Sequence, residues 1–251
     1  MSFYFWPMPQ EPQVIYEDNH LLIVNKPAGW LVQGDRTGDE TLADWGKEYL
    51  KKKYDKPGNV FLGVVHRLDR PVSGMVAMAR NSKALARMNQ IFKTRQVTKT
   101  YWALVQNPPP QSEATLVHWL VKDSVKNKVT AFRAEKKNSK RAELSYRLLM
   151  QRNPPSPLWK RGKNRVYLLE VMPLTGRPHQ IRVQLADMGC PMVGDLKYGA
   201  SEPLPDASIG LHARKLSFMH PVKRELVSFL ADVPSLDIWQ PFASIEEPKR
   251  D

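Results

Sequence analysis

The sequence predicts an α+β fold, on three observations. Strand-like and helix-like stretches alternate irregularly along the chain, without the regular βαβ repeat of a doubly wound protein. Three stretches space their apolar residues as a helix does, between recognisable start and stop signals. The strand candidates are short, rich in β-branched and aromatic residues, and bounded by Gly, Pro, Asn or Asp.

Residues 14–17 and 21–25 are β-favouring runs around the turn signal Asp18-Asn19-His20, which predicts a hairpin that Lys26-Pro27-Ala28-Gly29 ends. From 41 to 53, Leu42, Trp45 and Tyr49 recur at helical spacing, and Lys51, Lys52 and Lys53 gather where cations suit the helix dipole. Asn81-Ser82 caps a second helix that buries Leu85, Met88, Ile91 and Phe92. Residues 97–106 predict a strand with Val97, Tyr101, Ala103 and Val105 on one face and Trp102 and Leu104 on the other; Pro108-Pro109-Pro110 ends it. Strands are predicted again over 144–150 and 165–172, joined by the Pro-rich stretch 153–157. Pro178 suits the first position of a third helix, with Ile181, Leu185 and Met188 as its buried stripe and Gly189 followed by Pro191 as its stop. Strands over 211–219 and 225–231 complete the reading, which gives an extension over 1–12, one catalytic unit over 13–235, either undivided or of two subdomains sharing a sheet, and a tail over 236–251.

With 38 Lys plus Arg against 25 Asp plus Glu, the formal charge is +13, an excess that attracts polyanions and nucleic acid above all, or serves solubility alone. One cysteine, Cys190, excludes an intramolecular disulfide framework and a Cys-rich zinc site. The first ten residues lack a basic leader and a long apolar core, and no stretch approaches the roughly 18 apolar residues of a membrane span. A cytoplasmic protein with no membrane association is expected. His179, His212 and His220 lack compact metal-ligand spacing, so no metal site is predicted, and no Gly-rich phosphate loop or dinucleotide fingerprint occurs.

The densest run of chemistry-bearing residues is His66-Arg67-Leu68-Asp69-Arg70-Pro71-Val72-Ser73-Gly74. Extended up to Pro71, it puts Arg67 and Asp69 on one face, and a cation beside Asp69 would keep the carboxylate ionised, as a nucleophile or electrostatic stabiliser. The same spacing also describes an Arg/Asp pair that merely staples a surface turn.

This run resembles the signature segment of the RluA family of pseudouridine synthases, with Val72 and Ser73 as permitted variation. Four further segments resemble that family in its order: Asn25-Lys26-Pro27-Ala28-Gly29; Lys99-Thr100-Tyr101; Thr175-Gly176-Arg177-Pro178-His179-Gln180-Ile181-Arg182; and Leu211-His212-Ala213 with Phe218-Met219-His220-Pro221. The resemblance spans about residues 13 to 232. It implies a mixed, mostly antiparallel sheet flanked by helices and loops. It further implies an RNA pseudouridine synthase that needs no cofactor, with tRNA or rRNA as partner, no protein partner, and a monomeric state. Many relatives carry an N-terminal S4-type domain; with about a dozen residues ahead of the hairpin, a short member without one is expected. The segment Pro27-Ala28-Gly29-Trp30-Leu31-Val32 leans toward the tRNA-modifying subgroup.

By the same resemblance Asp69 is the catalytic residue and Arg67 fills the space that the flipped base leaves. Tyr101 stacks on uracil and acts in removing the C5 proton; a lone strand tyrosine also reads as an ordinary core aromatic. Arg182 pairs with Asp69, where periodicity alone makes it a half-exposed helix residue. Leu211 packs beneath the base or simply in the core, and His66, Arg70, Arg177 and His179 complete the expected substrate-binding set. Lys136, Lys137, Lys140, Arg141 and residues 51–53 are candidate phosphate contacts, each also readable as solvated charge.

Two rivals remain: an RNA-binding or ribosome-assembly protein that kept the fold without catalysis, and a hydrolytic nucleosidase that uses Asp69. The first would bind RNA equally well with Asp69→Asn; the second would release free uracil.

Overall fold

The computed structural model describes residues 10–35, 37–152 and 165–245; the Pro-rich stretch 153–157, most of the predicted extension and the last residues of the predicted tail lie outside them. In chain order the elements are β1 Gln13–Glu17, β2 Leu21–Lys26, α1 Leu42–Lys53, β3 Gly63–Val64, β4 Ser73–Ala79, α2 Ser82–Lys93, β5 Val97–Val105, β6 Glu113–Asp123, β7 Lys128–Phe132, β8 Lys140–Arg152, β9 Val166–Pro173, α3 Gln180–Asp187, β10 Leu211–Met219 and β11 Leu226–Leu230. Short 3-10 turns lie at Leu196–Tyr198 and Gln240–Phe242.

Local chemistry explains the elements that the sequence predicted. Asp18 accepts the N–H groups of His20 and Leu21, both at 2.8 Å, and so turns β1 into β2. Thr41 caps α1 by accepting the N–H of Asp44, and Asn81 caps α2 by accepting that of Ala84. Helix α2 buries Ala84 and Met88, with Ile91 and Phe92 packed beside them.

The strands form one mixed sheet in the order β1-β2-β4-β10-β5-β9-β8-β6-β7, with β11 paired to β10 and β3 to β4. The pairing of β4 with β10 is parallel, at Ser73 with His212 and Gly74 with Ala213, and the other pairings are antiparallel. Gly74 has φ 112, and a Cβ there would overlap the backbone nitrogen and carbonyl oxygen of Ala213. Only glycine lets the two strands start side by side. That contact sets the loop holding Asp69, just before β4, against Leu211 at the head of β10.

Several expectations are corrected. Strand β4 was not anticipated because it is buried throughout, and a strand covered on both faces shows no alternation. The β6–β7 hairpin, whose turn is tied by Asp123 accepting from Val125 and Lys126, was hidden by its charged residues. Val97 packs with Leu216 and Phe218, away from Tyr101, Ala103 and Val105, where the register of β10 shifts between Ala213 and Lys215. Pro178 does not open α3. A turn occupies that position: the Gln180 side chain accepts from the Thr175 hydroxyl (2.8 Å) and the Arg177 N–H (3.0 Å) and donates to the Glu143 carbonyl (3.0 Å). Beyond residue 235 the described chain is packed against the sheet, with Ile238, Trp239 and Phe242 buried around Trp102 and Leu104, because those aromatic groups gain more from burial than from hydration.

His212 is wholly buried, with Nδ1 2.9 Å from the Ser73 hydroxyl and Nε2 3.3 Å from the Ala231 carbonyl. Burial pushes it down to about 3, against the pull of that carbonyl and with the help of Arg214. An unfolded histidine protonates near about 6.5, so the unfolded chain binds more protons between the two values. Stability from this group is complete above that window and drains as pH falls through it. Thermal midpoints measured at about pH 7.5 and about pH 4.5 are expected to drop, and to drop less in His212→Asn; equal drops would remove His212 as a source.

Candidate active site

Three segments converge on Asp69: its own loop ahead of β4, the start of α3, and the turn after α3. The Asp69 side chain is 35% exposed, and its Oδ2 accepts a hydrogen bond of 3.1 Å from Arg182 Nη1. Arg182 is buried, contrary to the half-exposed position that periodicity gave it, because the turn holding Asp195 and Tyr198 packs over it. Its guanidinium is gripped from behind by Asp195, with Nε to Oδ2 at 2.7 Å and Nη2 to Oδ1 at 2.8 Å. It lies 5.1 Å over the ring of Tyr198. Burial opposes its charge, yet Asp195 and Asp69 outweigh this and hold the guanidinium above its ordinary range.

The cation beside Asp69 is therefore Arg182. Arg67 is exposed, and among the described residues no ion pair joins it to Asp69, because the loop leaves its pairing strand after β3 and turns Arg67 toward solvent. Tyr101 stands on β5 opposite Ala213 and Val171, at the edge of the core that contains Leu68, Val72, Ile181 and Leu211. Burial, and then the charge of Asp69, push its phenol above the usual range, so it keeps its proton at neutral pH. Leu211 is 4% exposed.

His179 brings Nε2 to 3.7 Å from Asp69 Oδ2, while Nδ1 lies 2.7 Å from the Tyr198 hydroxyl. Arg177 is half-buried, and its Nε donates to the Arg141 carbonyl at 3.2 Å. The structure does not bring His66 and Arg70 to Asp69. His66 stacks on Phe92 with ring centroids 4.8 Å apart and accepts the Ala77 N–H, which places it against α2. Arg70 turns the other way, to Asp39 at 2.7 Å and the Gly29 carbonyl at 2.9 Å. The Asp69 carbonyl accepts the N–H of Val72 at 3.0 Å in a turn over Arg70 and Pro71, which directs Arg70 away from Asp69.

Three residues that the sequence reading gave no role in the site belong to it. Lys26 is wholly buried and donates to the carbonyls of Pro27, Trp30 and Arg70 at 3.0, 3.0 and 3.3 Å, which braces the Asp69 loop. Burial pushes its amine down to about 7, against the pull of Asp69. A lysine ending the apolar run of β2 was the available signal. Asp195 and Tyr198 sit between Gly194 and Gly199, and two glycines framing an acid and an aromatic were theirs.

The fold is that of pseudouridine synthases, which are isomerases that act on RNA. The structure resembles the solved human RNA pseudouridylate synthase domain containing 1 with a TM-score of 0.70, at 26% identity over 90% of this chain and 85% of that one. It also resembles the human domain containing 4 protein, with a TM-score of 0.70 at 24% identity over 89% of each chain.

The chain belongs to the RNA pseudouridylate synthase family, whose model matches residues 20–187, and within it to the RluA type. It is 30% identical to the tRNA pseudouridine synthase C of Vibrio cholerae over 91% of this chain and 93% of that protein. Against the ribosomal large subunit pseudouridine synthase C of Rickettsia felis the identity is 31%, over 88% of this chain and 67% of that protein. The expectations of an α+β pseudouridine synthase fold and of an RNA isomerase thus hold. No helix among the described residues is long and apolar enough to cross a membrane.

Proposed function

We propose that this enzyme converts uridines of tRNA or rRNA to pseudouridine with Asp69 as its catalytic carboxylate, acting as a cytoplasmic monomer without a cofactor. One observation carries the assignment: the Arg182 fork, locked by Asp195 through Nε and Nη2, presents an N–H of Nη1 to Asp69. Arg182 and His179 both approach Oδ2, and among the described residues no ion pair or side-chain hydrogen bond reaches Oδ1.

The reaction breaks the bond from C1′ to N1, turns the uracil, and joins C1′ to C5. A proton leaves C5 and N1 gains one, so atoms balance with no outside reactant. The uridine must first leave its stack, at a cost of a few kcal/mol, and we assign the filling of the gap to Arg67, exposed and without an ion pair among the described residues. Tyr101 offers a ring to stack on uracil and a neutral hydroxyl for proton transfer. Leu211, with Leu68 and Val72, supplies an apolar floor that discourages water, which a synthase requires because detached uracil must rejoin the sugar before hydrolysis.

Mapping pseudouridines in total RNA from cells with and without this protein tests the proposal: one or more positions in tRNA or rRNA should vanish without it, and an unchanged map would favour the RNA-binding rival. Binding should also be salt-sensitive. Lys136, Lys137 and Lys140 are exposed, whereas Arg141 is paired with Glu143 and Lys53 with Glu17. Affinity for total tRNA is expected to fall on the order of 10³-fold between about 50 and about 200 mM salt. A flat response in a filter-binding titration would contradict a phosphate-dominated interface.

A further inference from the structure

We propose that His179 is a positioning residue for Asp69, held by Tyr198 in the tautomer whose Nε2–H points at the carboxylate. The inference rests on the reading of Asp69 as the catalytic group.

The direction of each hydrogen bond follows from what its partners can do. The Tyr198 oxygen already accepts the N–H of Val129, at 2.9 Å. Its own O–H needs an acceptor, and His179 Nδ1 stands 2.7 Å away. An imidazole that accepts at Nδ1 carries its proton on Nε2 when neutral. That nitrogen is the one 3.7 Å from Asp69 Oδ2, and a carboxylate oxygen has only donors to welcome. Both ends therefore select the same tautomer.

The setting agrees. The His179 side chain is 8% exposed, and the groups that act on it are Asp69 from its loop, Arg182 from α3, Lys197 from the following turn and Lys122 from β6. Burial pushes it below the ordinary histidine range, Asp69 pulls upward, and the three cations push down again, so the neutral ring is the resident form. Its backbone is left-handed, with φ 50 and ψ 19, at the N-cap of α3, and its side chain makes no capping bond. A non-glycine residue in this region is uncommon, and such a conformation persists where the surrounding structure holds it, often at functional sites. The chain of contacts from the β6–β7 hairpin through Val129, Tyr198 and His179 ends on the oxygen that Arg182 also holds. Asp69 Oδ2 is thus held by the Arg182 hydrogen bond and faced by the His179 Nε2–H at 3.7 Å, and Oδ1 is left for the nucleotide.

The first test is spectroscopic, on the full chain with nitrogen-15 histidine near neutral pH. The His179 signals, assigned by their loss in His179→Asn, should show a bare Nδ1 and a protonated Nε2, and the Nε2 signal should move in Asp69→Asn. A protonated Nδ1, or a signal indifferent to Asp69→Asn, overturns the proposal. The second test follows tritium release from total RNA carrying C5-tritiated uridine, prepared from cells lacking the protein. His179→Asn suits the left-handed backbone but cannot span to Asp69; it should lower kcat roughly tenfold with KM unchanged. His179→Gln, whose amide nitrogen reaches the place of Nε2, should restore most of that loss, and Tyr198→Phe should lower kcat by less. If the wild-type chain releases tritium and His179→Asn equals it, the positioning role is wrong while Asp69 keeps its own. If the wild-type chain releases none, the proposed function fails, and the nitrogen signals still decide the tautomer.

Discussion

Asp69→Asn is expected to abolish turnover, by on the order of 10³-fold to 10⁴-fold, while fold and RNA affinity survive. The amide is nearly the size of the carboxylate, and Asp69 is one-third exposed, so nothing in the packing has to move. Arg182 loses the charge in front of it but keeps both hydrogen bonds to Asp195 behind it, and the helix stays anchored. What disappears is the anionic oxygen itself. Pseudouridine formation and RNA binding, measured side by side, should separate completely. If Asp69→Asn bound RNA normally and still turned over within tenfold of wild type, the carboxylate would not be the catalytic group. Release of free uracil by the wild-type chain would instead support the nucleosidase rival.

Arg182→Ala has the second large effect, and it strikes stability as well as activity. Asp195 is 1% exposed and relies on Arg182 for two short charge-assisted hydrogen bonds. Removing one partner of a buried ion pair leaves an uncompensated charge, at a cost of about 3–5 kcal/mol. For a chain of this length that corresponds to a fall of roughly 10 °C in Tm. Asp69 also loses its positioning donor, so turnover should collapse. The double change Arg182→Met with Asp195→Leu removes both charges and should recover much of the stability with none of the activity. Calorimetry on the single and double variants checks this, and a Tm for Arg182→Ala close to wild type would show that Asp195 finds another partner. Arg182→Lys should not rescue turnover, because a single ammonium cannot replace a fork that holds two carboxylates at once.

How much of this was legible beforehand depends on the range of each interaction. The β1–β2 hairpin, the caps at Thr41 and Asn81, and strand β10 are set by neighbours within a few residues, and the chain states those directly. The five ordered motifs, read as a family resemblance, named the fold, the RNA isomerase chemistry and Asp69. The stretch 73–79 was opaque because burial on both faces erases the period that marks a strand. Arg70 and His66 were expected in the site because they belong to the same family-like segment as Asp69, yet the folded loop sends them to Asp39 and Phe92. Asp195, far along the chain from Asp69, drew no attention.

The sequence alone determined which chemical groups the protein owns and the class of enzyme they belong to, since local propensity and ordered motifs are written in neighbouring residues. Only the tertiary structure decided which cation faces Asp69, which acid holds that cation, that Lys26 braces the Asp69 loop, and that His179 lies 3.7 Å from the same carboxylate. The physical reason is that these are contacts between segments far apart in the chain, chosen by the one parallel meeting of β4 with β10 at Gly74 and by the burial of α3 against the sheet. No local pattern records such a meeting, because its energy comes from charges and apolar surface that are neighbours only after folding.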